Sequence, residues 1–116
     1  MEEIKGINVT IVSKDIVKLS KTYGLFLTDL MQKNMKISIR VYENNSKNLF
    51  RRAYKIRFHE SDKRKLKNFL INSTDIVEKY NNKQFNIDSE GISIHYYTEM
   101  GELNSEHVKK LLYEEA

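Results

Sequence analysis

The hydrophobic positions of this chain switch between a period of two and a period of three to four, and the switches mark out its elements. Ile7, Val9 and Ile11 alternate with Asn8 and Thr10, which predicts a strand with one buried face. From Ser13 onward Ile16, Leu19, Tyr23, Phe26, Leu27, Leu30 and Met31 recur at steps of three and four, forming one stripe of a helix. Ser13 is its expected N-cap, and Asp15 is well placed for the positive end of the helix dipole. Gly24 lies inside this helix as a tolerated glycine.

After Asn34 the alternation returns. Met35, Ile37, Ile39 and Val41 are expected to face a core, with Lys36, Ser38, Arg40 and Tyr42 on the other side. The turn formers between Glu43 and Asn48 lead into a third run. Here Tyr54, Ile56 and Phe58 point inward, while Arg51, Ala53, Lys55, Arg57 and His59 point outward. These two strands read as an antiparallel hairpin. Ser61 is the expected cap of a second helix, with Asp62 in its first turn and Leu66, Phe69, Leu70, Ile76, Val77 and Tyr80 on its stripe. The polar patch Asn72, Ser73 and Thr74 interrupts that stripe, and a continuous or kinked helix to about Tyr80 is expected.

A closing hairpin follows, with Phe85 and Ile87 in one strand, a turn over Asp88, Ser89, Glu90 and Gly91, and Ile92, Ile94 and Tyr96 in the other. Leu103, Asn104 and Val108 fit a hydrophobic staple around an Asn cap, opening a last helix through Leu111 and Leu112. The order predicts a single α+β domain over residues 1–116. Its antiparallel sheet is covered by helices on one face, in the ferredoxin-like βαββαβ arrangement plus a C-terminal helix.

Charge adds what periodicity cannot. Between Lys33 and Lys67 there are twelve Lys and Arg against three acids, whereas residues 1–32 are balanced and residues 68–116 carry four bases and nine acids. The chain is basic in its middle and acidic toward its end, within a formal net charge of +4. The outward residues of the strands then share one surface: Lys36, Arg40, Arg51, Lys55 and Arg57, with the rings of Tyr42 and Tyr97 and with His59 and His95. Cations for phosphates and rings for bases are what sequence-tolerant binding of single strands uses, so nucleic acid or a nucleoprotein is the expected partner. The same charges on exposed strands also discourage edge pairing and keep a protein soluble. A second basic cluster, Lys63, Arg64 and Lys65 with Lys67, falls at a helix start, where positive charge opposes the dipole. It is a further candidate contact for phosphate or for an acidic partner.

Other chemistry is thinly represented. With no cysteine there is no disulfide, thiolate nucleophile or thiolate metal site, and the three histidines stand far apart. The four glycines are isolated, so no phosphate-cradling loop is formed. His59, Glu60 and Asp62 are close in sequence, but their spacing reads as a strand end and a helix cap, and no catalytic residue, cofactor or metal is assigned. The stretch Arg52 to Phe58 lacks the outward stacking aromatics of the RNA-recognition motif, since Ala53 and Lys55 hold those positions.

No apolar run reaches membrane or signal-peptide length, which predicts a cytoplasmic protein without a membrane partner. The lack of proline and the heavy use of Lys, Asn, Ile and Tyr suggest AT-rich coding, as in a phage or plasmid of a low-GC bacterium. In size and composition alone the chain resembles the small inhibitors of host defence nucleases carried by mobile elements, the anti-CRISPR proteins. On that reading the acids Glu99, Glu102, Glu106, Glu114 and Glu115 would mimic nucleic-acid charge toward a host protein. Pairing of the basic middle with the acidic end of a second copy, giving a homo-oligomer, is a further expectation.

Overall fold

A computed structural model describes residues 3–32, 35–46, 49–81 and 90–114. The chain forms a small α+β domain whose elements run β1 (Gly6–Ser13), α1 (Ile16–Met31), β2 (Ile37–Glu43), β3 (Phe50–Phe58), α2 (Lys63–Asn81), β4 (Gly91–Thr98), β5 (Gly101–Leu103) and α3 (Ser105–Glu114). The five strands make one antiparallel sheet in the order β2-β3-β1-β4-β5. Lys33, Lys47, Glu115 and the expected strand at Phe85 and Ile87, with Asp88 and Ser89 of its turn, lie outside the described residues.

The core follows from the period of two. Ile7, Val9 and Ile11 of β1 lie between Ile56 and Tyr54 of β3 and Ile92, Ile94 and Tyr96 of β4, all buried on the same face. Helix α1 rests on β1, α2 on α1 and β4, and α3 on α2 and β4, so the helices share that one side. Rings lock the layers together: Tyr23 of α1 stacks on Tyr54 at 3.6 Å, and Phe58 meets Phe69 of α2 edge to face at 5.3 Å. The polar patch on the α2 stripe is absorbed without breaking the helix. Ser73 donates to the Leu70 carbonyl and takes a 2.6 Å bond from the buried Tyr96 hydroxyl, and Thr74 donates to the Ile71 carbonyl. Helix α2 therefore continues unbroken to Asn81.

Three expectations are corrected. The caps fall on aspartate rather than serine. Asp15 accepts from the N–H groups of Val17 and Lys18, and Asp62 from those of Arg64 and Lys65. Ser13 is instead the buried last residue of β1. Asp15 is itself still extended, at φ −114 and ψ 109, and the helices begin only at Ile16 and Lys63, so the capping position falls on the residue just before each helix, beyond the serine. Ile39 and Val41 are not core, because β2 is an edge strand to which no helix makes a substantial contact, and they are 37% and 53% exposed. Finally, β4 pairs with a strand that the periodicity did not announce, β5, reached through a turn in which Gly101 holds φ 139. That backbone geometry favours glycine.

Asn104 caps α3 as expected, accepting from the His107 N–H at 2.8 Å, and Val108 of the expected staple is buried. No helix among the described residues is long and apolar enough to cross a membrane.

Candidate functional site

With every described helix on one side, none of the described helices covers the other face of the sheet, and the strand register determines what meets on this open face. Arg40 of β2 stands directly opposite Lys55 of β3, whose other neighbour is Asn8 of β1. One step along, Ser38, Arg57, Gly6 and Tyr97 form the next row across β2, β3, β1 and β4. Of these, Arg40, Lys55, Ser38, Arg57 and Tyr97 line a groove of about 550 Å³, which Tyr42, His59, Lys5, Thr98 and Glu99 complete.

The floor of the groove is built around a missing side chain. A Cβ on Gly6 would collide with the Ile56 carbonyl and would come within 2.6 Å of the Tyr97 ring and hydroxyl, so glycine lets the ring lie flat over β1. The Lys55 ammonium sits 4.8 Å from the centroid of that ring. Burial pushes the Tyr97 phenol above its ordinary pKa, partly opposed by the nearby Arg57 charge. Its hydroxyl is buried and finds no hydrogen-bond partner among the described residues. At the wall, His59 Nε2 and Ser38 Oγ are 2.8 Å apart, which fixes the imidazole.

Among the described residues no carboxylate forms an ion pair with Arg40, Lys55 or Arg57. Like charges opposite one another on neighbouring strands are destabilising, so the Arg40 and Lys55 pair is a standing electrostatic cost. Charge changes sign across the sheet. Glu99 pairs with Lys5 at 3.7 Å at the end of the groove, and Glu102 of β5, opposite Tyr97, accepts from Asn8. The open face is thus basic over β2 and β3 and acidic at β4 and β5.

Of the residues singled out from sequence, Arg40, Tyr42, Lys55, Arg57, His59 and Tyr97 come together in this groove. Lys36 is exposed just before β2, and its carbonyl accepts from the His59 N–H, but its side chain does not line the groove. Arg51 shares the outward side of β3 at the far end, opposite Val12. Lys63, Arg64 and Lys65 start α2, on the covered side of the sheet.

Positive charge at the start of α2 is compensated locally. Asp62 caps the helix, and Lys65 pairs with Glu60 at 3.1 Å, a hydrogen bond that holds the Glu60 carboxyl below the usual carboxylate range. His59, Glu60 and Asp62 therefore turn to three different partners, and no group of His, Asp and Glu among the described residues could hold a metal ion. Lys5 and Thr98 in the lining, and Gly6 beneath the Tyr97 ring, are the site residues that periodicity passes over. A glycine opening an alternating run was the available signal for Gly6, and the place of Glu99 beside the basic groove depends on the unforeseen β4–β5 turn.

No protein-family model and no curated protein matches the chain. Among solved structures it is similar to a de novo designed protein, Ferredog-Diesel, at 14% identity over 81% of this chain and 87% of that one. The TM-score is 0.36, and the likeness carries no argument.

Proposed function

We propose that this is a non-enzymatic accessory protein that binds nucleic acid, or a nucleoprotein, through the basic half of its open sheet face. The observation that carries the reading is the set of uncompensated cations Arg40, Lys55 and Arg57 held beside the rings of Tyr42 and Tyr97 in one groove. An arrangement that costs stability on its own is relieved by a polyanion, and counterion release supplies the affinity. To a polyanion these groups offer charge and hydrogen-bond donors.

The scaffold is read as a ferredoxin-like core, β1-α1-β2-β3-α2-β4, extended by β5 and α3. Such a sheet leaves one face free for single strands, as sheet-based RNA binders do. An origin in a phage or plasmid belongs to the same proposal and is supported by amino-acid usage alone.

The test is a titration of labelled single- and double-stranded oligonucleotides by fluorescence anisotropy at two salt concentrations. Binding is expected to weaken with salt, and Lys55→Ala with Arg57→Ala is expected to flatten the salt slope on single strands by about 1.4, from two lost phosphate contacts. Absence of binding at low salt would refute the reading.

A second reading is direct contact with a host protein that handles nucleic acid. It is favoured by the β4–β5 turn, where Met100, 82% exposed, stands between the carboxylates of Glu99 and Glu102. A one-to-one protein complex that excess oligonucleotide does not displace, and that Met100→Ala weakens, would select it.

A further inference from the structure

We infer that the groove takes the end of a strand rather than its interior: its ligand is a terminal phosphate, a phosphomonoester attached to a nucleoside. The inference rests on the nucleic-acid reading above and deepens it. Three features of the groove lead to it.

The first is charge density. Lys55 and Arg57 are two residues apart on β3, about 7 Å, and Arg40 faces Lys55 across about 5 Å. Three cations this close exceed what one phosphodiester, with its single charge, can neutralise. A phosphomonoester carries about −1.5 to −2 at pH 7 and three strong acceptor oxygens, and it fits this cluster better.

The second feature is the closed and acidic side. A diester chain running across the sheet from β3 over β4 would next meet the β4–β5 turn, where Glu99 is already paired with Lys5, and then the carboxylate of Glu102, and like-charge repulsion there turns it back. The basic groove therefore has an entrance from β2 and no exit for phosphates beyond Tyr97. At about 550 Å³ it also has the size of a small-ligand site rather than of a channel that tracks a backbone.

The third is the floor. The Tyr97 hydroxyl ends over Gly6, whose register partner is Arg57, and it has no hydrogen-bond partner among the described residues. A buried donor left unsatisfied is costly. A phosphate oxygen shared between Arg57 and Lys55 would accept from it, with the Tyr97 ring beneath the terminal nucleoside once Lys55 swings to the phosphate.

The experiment compares one short single-stranded oligonucleotide in three forms, bearing a 5′-phosphate, a 3′-phosphate or hydroxyls at both ends, in competition titrations at one salt concentration. A nucleoside 5′-monophosphate forms a further arm. A phosphorylated end is expected to bind about tenfold more tightly than the hydroxyl-ended strand, the gain of charge-assisted hydrogen bonds. Arg57→Gln should erase that preference. Lys110→Gln, which removes the same charge from an exposed site on α3, should keep it. Melting curves establish that both variants are folded.

A mononucleotide that competes as well as the phosphorylated strand would support the terminal-phosphate site and identify free nucleotide as its source. Equal affinity of all three strands, or an Arg57→Gln variant that loses affinity for each in the same proportion, would overturn the inference while leaving nucleic-acid binding in place. No binding of any strand at low salt would remove both.

Discussion

Neighbouring residues of β3 belong to two different economies. On the covered face Ile56 is fully buried between Ile7 and Ile39, and the buried Tyr96 and Ser73 hydroxyls bond to each other, while the Tyr23 hydroxyl finds no hydrogen-bond partner among the described residues. On the open face Lys55 stands between Arg40 and Asn8, with no carboxylate among the described residues paired to it. A single step along the strand separates a position that supplies stability from one that gives some up. The contrast implies that the two faces can be altered independently, and each prediction below tests whether that separation is real.

The largest effect is expected from Ile56→Ala, which removes a side chain with no exposure from the middle of the sheet. It should cost about 2–5 kcal/mol in urea unfolding, from lost transfer energy and the cavity left behind. A cost below 1 kcal/mol would mean that the covered face is not the core.

Gly6→Ala attacks the one row where the faces meet. The new Cβ would press on the Ile56 carbonyl and on the Tyr97 ring, and overpacking of this kind costs about 1–3 kcal/mol. Since the ring must lift from β1, oligonucleotide affinity should fall together with stability. Unchanged affinity in a destabilised Gly6→Ala protein would separate the Tyr97 floor from binding.

Alkaline titration probes chiefly the covered face, with the raised phenol of Tyr97 on the open face acting in the same direction. Burial pushes the Tyr23 phenol up to about 12, helped by Tyr54, and pushes Tyr80 up to about 12, helped by its hydrogen bond to Asp29. Burial raises the Tyr96 phenol as well. An unfolded tyrosine ionises near 10, so below that pH this contribution to stability is complete. As pH rises from 10 toward 12 the unfolded chain releases protons that the folded one keeps, and stability falls. Thermal melting between pH 8 and 11 should show a midpoint that is flat to about 10 and then drops. A midpoint that rises above pH 10 would contradict the burial of these phenols.

How far the sequence revealed this division depends on the element. In β1 and β3 alternation identified both the buried and the open residues, because each strand has neighbours on both sides, α1 packs on β1, and rings of α1 and α2 meet Tyr54 and Phe58 of β3. The same alternation in β2 misassigned Ile39 and Val41. Periodicity tells which residues share a face and not whether anything covers that face, and an edge strand is where the two come apart. The caps were missed by one or two residues because Ser13 and Asp15, or Ser61 and Asp62, offer equivalent chemistry until the backbone chooses. Strand β5 spans three residues, too short for a period, although Gly101 after a strand was a turn signal.

For the groove, the cations and rings of Arg40, Tyr42, Lys55, Arg57 and Tyr97 were legible as outward residues. Their separation from Lys63, Arg64 and Lys65 was not, since it depends on α2 crossing to the covered side.

The smallest effect is the one that bears most directly on the open face. Lys55→Gln should change stability by no more than about 0.5 kcal/mol, and in the stabilising direction. The substitution removes the repulsion from Arg40 directly opposite, and what it gives up is the contact with the Tyr97 ring at 4.8 Å. Salt separates the two contributions. If repulsion dominates, the wild-type protein gains more stability than Lys55→Gln between low and high ionic strength, because screening relieves only the chain that still has the like-charged pair. If the variant is the less stable at every salt concentration, Lys55 is held by the tyrosine as part of the structure. The basic face would then be a stabilised surface rather than one waiting for an anion.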